Sequence, residues 1–296
     1  MSAVCPRCGE PAPMEDRFCE ACGERLAPVA EGGGDGGQHE IDAGDAAGLT
    51  HRGLVKPENQ DALYLGYANG RLIAVVCDGV STSVAAADAA RIACTAAGST
   101  LAATDRDTGL PAAMEHAVAE AQRAVAAIPW RSRPGLAAPA CTIVAAIADD
   151  RAVTVGSLGD SRAYWVSADE AVVLTADDSW ARHQVDAGLM TREEAEADNR
   201  AHQITRWLGA DAPDATPNLT TFVAGERGRL LVCSDGLWNY APTPEAIADW
   251  AREHPEGTPP ITVARGLVEK ALVSGGHDNI TVAVAGINPA QKGRQG

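Results

Sequence analysis

The chain has 296 residues, 46% hydrophobic and 22% charged, a balance that excludes a wholly disordered polypeptide and allows one large domain with an appendage. Aromatics are only 4%, so any core must be built from Ala, Val, Leu and Ile. Acids outnumber bases 40 to 24, and the net charge of −16 opposes nucleic-acid and anionic-membrane binding while leaving carboxylates for cations.

Four of the eight cysteines lie in the first 22 residues: Cys5, Cys8, Cys19 and Cys22, spaced C-x2-C-x10-C-x2-C. Two such knuckles present four thiolates to one tetrahedral Zn2+, and Gly9 and Gly23 follow the pairs where the backbone turns sharply. A module this short gains its folding energy from the metal, and four protein ligands make that zinc structural. The segment 1–26 resembles the zinc ribbons found at the ends of many bacterial proteins. A pair of disulfides is the alternative, disfavoured if the chain resides in the cytoplasm. Arg7, Arg17 and Arg25 face Glu10, Glu15, Asp16, Glu20 and Glu24, so the ribbon has the wrong sign for a phosphate backbone, and protein docking or autoregulation is the better expectation. Cys77, Cys94, Cys141 and Cys233 sit singly in apolar stretches and read as small buried hydrophobes.

Residues 27–47 hold five acids, no Lys or Arg, and a Gly cluster, the composition of a flexible linker. From 48 to 287 the pattern predicts a strand over 72–77, Ala-rich helices over 84–103 and 111–128, and short strands over 141–148, 152–157 and 162–166, with a turn at Asp149-Asp150. A strand over 229–233, helices over 244–253 and 260–272, and a strand over 280–285 follow. Two long helices before a β-meander predict an α+β fold with helices layered on antiparallel sheets. Residues 288–296 form a tail. No apolar run spans a bilayer and no signal-peptide pattern follows Met1, so a cytoplasmic protein without a membrane partner is expected, and a monomer.

The aspartates fall at informative places. Asp78, Asp160, Asp235 and Asp278 each follow an apolar run or precede one, beside Gly or another small residue, and Asp61 ends Asn59-Gln60-Asp61 before a further apolar stretch. An acid at the tip of a buried strand is costly unless paired or metal-bound. Oxygen-only clusters select hard cations such as Mg2+ or Mn2+, and two such ions activate water and clamp a phosphoryl group. Asp-Gly also makes ordinary turns, but five such sites in one chain exceed what turns explain.

Taken in order, Asp78-Gly79, Gly159-Asp160-Ser161-Arg162-Ala163-Tyr164, Ser234-Asp235-Gly236 and Asp278-Asn279 resemble the signature of the type 2C (PPM) metal-dependent protein serine/threonine phosphatases. The 53–61, 174–179 and 204–209 segments resemble further blocks of that family, and the likeness covers essentially all of 48–287. The resemblance implies an αββα sandwich of two antiparallel sheets flanked by helices, with two or three Mn2+ or Mg2+ in a cleft at one end. It implies that Asp78 bridges two metals, Gly79 lends its carbonyl to one, Asp235 and Asp278 hold the second, and Asp61 acts through bound waters. Asp160 with Asp235 matches a weaker third metal position, and 179–202 matches a variable flap beside the cleft.

Three positions depart from the pattern. Lys56 stands where an Arg usually grips the substrate phosphate, keeping a point charge but losing the bidentate fork. Gln60 replaces a commoner acid, and Val80 stands where animal members carry a His proposed as general acid. No direct metal ligand is lost. The expected activity is hydrolysis of phosphoserine and phosphothreonine in proteins by water activated between the metals, with a Ser/Thr kinase as the counterpart enzyme. The alternative is a weakly active or inactive phosphatase-fold scaffold in kinase signalling, steered by the ribbon.

Overall fold

The computed structural model describes residues 2–4, 8, 11–13, 19, 21, 30–32, 37–149 and 151–288. Near the N-terminus β1 (Ser2–Val4) pairs antiparallel with β2 (Pro11–Pro13), and β3 (Ala30–Gly32) follows. The body opens with β4 (Gln38–Asp42), β5 (Ala46–His51), β6 (Asp61–Ala68) and β7 (Arg71–Asp78). Helices α1 (Ala86–Ala103) and α2 (Leu110–Ala126) come next, then β8 (Ala140–Cys141), β9 (Ile143–Ala148), β10 (Val153–Leu158), β11 (Arg162–Val166) and β12 (Ala171–Val173). Short helices α3 (Trp180–Asp186) and α4 (Arg192–Glu196) precede β13 (Leu208–Gly209), β14 (Asn218–Phe222) and β15 (Gly228–Cys233). The chain closes with α5 (Asp235–Trp238), α6 (Pro244–Arg252), α7 (Pro260–Val273) and β16 (Ile280–Ile287).

Among the described residues two six-stranded antiparallel sheets form, in the orders β14-β10-β9-β7-β6-β3 and β12-β11-β15-β16-β5-β4, beside the two-stranded pairs β1-β2 and β13-β8. The apolar runs are nearly continuous because these strands are buried on both faces, and the two-residue period sorts their side chains between layers. In β7, Ile73, Val75 and Cys77 pack under α1 and α2, while Leu72, Ala74 and Val76 face the other sheet. In β15, Leu230 and Val232 meet that inter-sheet core, and Leu231 and Cys233 pack under α6 and α7. The result is helices, sheet, sheet, helices: an αββα sandwich. Cys77, Cys94, Cys141 and Cys233 are all buried.

The linker reading needs correction over part of its length. Gln38–Asp42 is an edge strand paired along β5, with Ile41 buried and Glu40 bonded to Arg265 of α7. The polar, acidic composition fits an edge, where alternate residues face solvent and charge deters further pairing. Cys5, Cys22, most of the ribbon and residues 289–296 lie outside the described residues. No helix among the described residues is long and apolar enough to cross a membrane.

Candidate active site

All five aspartates arrive at one end of the sandwich. Antiparallel pairing puts the start of β6 opposite the end of β7, so Asp61 and Asp78 are register partners. The ends of β10 and β15 deliver Asp160 and Asp235 to that end, and Asp278 lies two residues before β16. Asp61 and Asp160 are buried, while Asp78, Asp235 and Asp278 are half-buried.

Asp61 joins the two sheets. Its Oδ2 accepts from Ser234 Oγ at 2.8 Å and Thr281 Oγ1 at 2.7 Å, while its buried Oδ1 has no partner among the described residues. Asp235 likewise has a buried, unpartnered Oδ1, and its Oδ2 accepts from Asn239 Nδ2 at 3.2 Å. Asp78 and Asp235 are close enough to act on each other electrostatically. Asp278 Oδ1 meets the Lys56 ammonium at 2.6 Å, and Lys56 Nζ also reaches Ser81 Oγ at 3.3 Å, which donates to Gln60 Oε1. Among the described residues no three acidic, His or Cys side chains already close into one ligand cage; Asp278 is turned toward Lys56 instead.

Glycine is required here for space. A Cβ on Gly79 would lie 2.6 Å from Ala86 O and 2.9 Å from Gln60 O, and one on Gly236 would lie 1.9 Å from Asn279 O. The backbone is packed too closely for any side chain.

The electrostatics are strained by like charge. Burial pushes the Asp61 carboxyl up to about 7, helped by Asp235 and Asp278 and opposed by its two hydroxyl donors. Burial and then Asp61, Asp235, Asp160 and Asp278 push Asp78 well above the usual carboxylate range. Asp160 is raised by burial and then Asp235 and Asp177, and Asp235 by burial and then Asp278. Burial lowers Lys56, yet Asp278, Asp78 and Asp235 outweigh it and hold the ammonium more firmly charged. Unpaired buried oxygens and mutually repelling carboxylates are the donor set that a hard divalent cation satisfies.

Thr142 and Trp238 escaped the sequence reading, while Ser161, Arg162, Asp177, Asp178, Arg206 and Asn279 were read there only as parts of motifs, without the roles the structure gives them. Asn279 pins the first loop: its Oδ1 accepts from Gln60 N, and its Nδ2 donates to Arg52 O and Glu58 O. Thr142 Oγ1 accepts from Asp78 N at 3.3 Å and lies 2.9 Å from Ser161 Oγ. Asp178 Oδ2 accepts from Gly159 N while Arg206 pairs with Asp178 Oδ1, so the 174–179 and 204–209 segments hold the loop bearing Asp160. Trp238 Nε1 donates to Asp160 O, and the Arg162 guanidinium, paired with Asp177, lies 3.6 Å from the Trp238 ring centre. Nothing in the sequence marked Thr142 or Trp238, and the partners of all these residues lie far along the chain. His51 and His277 have structural partners: His51 Nδ1 accepts from Gly53 N, and His277 Nδ1 lies 2.8 Å from Tyr240 Oη.

Beside the acids, on the side of Asp160, a cavity of about 520 Å³ opens between α5 and the 179–202 flap, whose own small core is Ala181, Ala195 and Ala201. At the N-terminus Cys8 and Cys19 place their sulfurs 3.6 Å apart. That is far beyond a disulfide bond and close to the ~3.8 Å between two thiolates on one tetrahedral zinc.

Residues 48–260 match the sequence model of the protein phosphatase 2C family. The chain belongs to that family. A second match, to a zinc-ribbon domain, covers residues 4–26. Among the relatives of this phosphatase 2C chain, the serine/threonine protein phosphatase PstP of Mycobacterium tuberculosis is 33% identical over 244 residues, 81% of this chain and 44% of that protein. The chain spans between 44% and 59% of the length of the curated relatives it matches. A crystal structure of the Mycobacterium tuberculosis phosphatase PstP/Ppp superposes with a TM-score of 0.70 at 29% identity, covering 85% of this chain and 99% of that one. A structure of the PstP catalytic domain in complex with two manganese ions superposes with a TM-score of 0.68 at 29% identity, covering 85% and 100%.

Proposed function

We propose that this chain is a protein serine/threonine phosphatase that uses Mn2+ or Mg2+ to hydrolyse phosphoserine and phosphothreonine esters. The observation that carries the reading is the meeting of acids from both sheets at one cleft, two of them with a buried unpaired oxygen. In this reading Asp78 with the Gly79 carbonyl would hold one cation, and Asp78 with Asp235 and Asp278 would hold a second. Asp61 orients bound water from a buried seat fixed by Ser234 and Thr281. Asp160 with Asp235 provides a third, weaker position. When bound, the cations supply Lewis acidity toward the phosphoryl oxygens and lower the pKa of water.

The protein's own groups supply position and charge. Lys56, held over the cleft by Asp278 and Ser81, offers its ammonium to the equatorial oxygens of the phosphoryl group. Gln60, engaged with Ser81 and Glu58, keeps the neighbouring loop in register without adding a charge. Val80 has no ionisable group, and in this reading water protonates the leaving alkoxide.

The four N-terminal cysteines hold one structural zinc in this reading; the Cys8–Cys19 spacing supports it, and Cys5 and Cys22 complete the set. The substrates are phosphoproteins, a Ser/Thr kinase is the counterpart enzyme, and the chain works as a cytoplasmic monomer.

Phosphate release from matched phosphoserine, phosphothreonine and phosphotyrosine peptides, titrated with Mn2+, tests the activity. Metal-dependent release from the first two, abolished by Asp78→Asn or Asp235→Asn, is expected. No release across a wide Mn2+ range would instead favour the scaffold alternative.

A further inference from the structure

The arginines of this acidic chain are mostly engaged: Arg71 with three carbonyl oxygens, Arg162 with Asp177, Arg206 with Asp178, Arg265 with Glu40. Three described arginines are exceptions: Arg192, which sits among Glu193, Glu194 and Glu196 on α4, and the pair Arg131 and Arg133. Both of that pair are exposed, and among the described residues neither guanidinium makes a hydrogen bond or an ion pair. They stand in Trp130-Arg131-Ser132-Arg133, between α2 and β8, with the Trp130 ring also exposed, at 42%. No acid occurs in 128–140, nor in 79–87 against which the loop packs, although the chain holds 40 acids.

The loop is fixed beside the cleft. Leu136 N bonds Arg133 O across Pro134-Gly135, and Gly135 has φ +80°, the signature of a type II turn in which Pro and Gly occupy the two central positions. Ala137 N then bonds Thr82 O, Val84 N bonds Ala137 O, and Val80 N bonds Ala140 O. The 80–84 segment so gripped follows Asp78-Gly79 directly and includes Ser81, whose hydroxyl touches Lys56 Nζ. Arg133 thus lies four residues from Ala137, whose amide bonds the residue next to Ser81, the partner of Lys56.

We infer that the 130–137 loop, through Arg131 and Arg133, binds acidic residues flanking the phosphorylated residue of a protein substrate. The inference rests on the phosphatase reading and adds a substrate class to it. A phosphoprotein whose phosphate lies at Lys56 can run its flank over this loop, which offers two unengaged guanidinium groups with no acid in the loop or in the segment it packs against, and Trp130 adds an apolar platform. Acidic segments that miss this arm meet a protein of net charge −16, so the same arrangement rejects other approaches.

The test separates the flank from the reaction. Fluorescent peptides carrying a non-hydrolysable phosphonate in place of phosphoserine, with acidic or neutral flanks, are bound to the full chain in Mn2+ and followed by anisotropy. Wild type should bind the acid-flanked peptide roughly three- to tenfold tighter, the range of two exposed ion pairs. Arg131→Ala with Arg133→Ala should bring the ratio within about twofold of unity, and Arg131→Glu with Arg133→Glu should invert it. A small aryl phosphate, too short to reach the loop, reads the reaction centre alone and should be turned over equally by all three proteins. A flank preference that survives both double substitutions overturns the inference. So does an arginine-dependent affinity for anionic lipid vesicles with no effect on peptide binding. Absence of aryl phosphate turnover in wild type with the peptide preference intact would count against the catalytic reading and leave the docking surface standing.

Discussion

At the scale of single residues, Asp61 shows how the cleft trades stability for chemistry. Its carboxyl is 4% exposed, with one oxygen accepting two hydroxyls and the other none. Replacing Thr281 by Val removes one of those donors and should cost about 1–3 kcal/mol in chemical unfolding, since the partner left behind is a buried acid. The raised acid pKa values also set a pH dependence. Asp61, at about 7, binds more protons folded than unfolded between its ordinary value of 3.8 and about 7, so unfolding free energy falls as pH rises through that window. Metal-free protein should therefore melt at a lower temperature at pH 8 than at pH 5. Saturating Mn2+ should flatten or reverse that trend, because cations stabilise the charged carboxylates. A metal-free melting temperature that rises from pH 5 to 8 would contradict the electrostatic account. Lys56 is testable by exchange for the residue the family usually has there: Lys56→Arg should lower KM for a phosphopeptide or leave it unchanged, and a large rise would show that the cleft is built around lysine.

At the scale of elements, strand ends made much of the site legible in the sequence. An apolar run that stops at Asp-Gly, Gly-Asp-Ser or Ser-Asp-Gly announces both a buried strand and an acid at its tip, and Asp78, Asp160 and Asp235 were visible for that reason. The layering of helices on antiparallel sheets was legible too, from Ala-rich helical runs followed by short apolar strands. β5 was hidden, because Ala46-Ala47-Gly48 has little strand propensity and acquires its structure from β16 and β4 on either side. β4 was hidden by an acidic composition that signals a linker but also suits an edge. α5 was hidden because Ser234-Asp235-Gly236 carries turn chemistry, and its four residues leave no helical period to read. Contacts such as Asn279 to Gln60, or Asp178 to Gly159, depend on partners that only the fold brings together. The edge strand yields its own prediction. Deleting residues 1–42 removes the buried Ile41 and the β4–β5 ladder, and should lower the melting temperature by at least about 5 °C relative to deletion of 1–36, which removes β3 alike but keeps β4. Equal melting of the two truncations would show that β4 contributes nothing to the sandwich.

At the scale of the whole molecule, the cleft is a product of two sheets. Asp61, Asp78 and Asp160 come from one, Asp235 and Asp278 from the other, and the Asp61 hydrogen bonds to Ser234 and Thr281 tie them across the core. Every one of these acids lies after residue 48, so deletion of residues 1–29 should leave turnover of a small phosphate ester within about twofold of the full chain; a larger loss would mean that the ribbon and the sandwich are coupled. The most direct test of the central claim is calorimetric titration of the metal-stripped full chain with Mn2+, beside Asp235→Asn. Wild type should bind at least two Mn2+ per chain, and the variant should lose at least one of them together with phosphate ester turnover. Identical stoichiometry in the two proteins, or undiminished turnover in excess chelator, would contradict it.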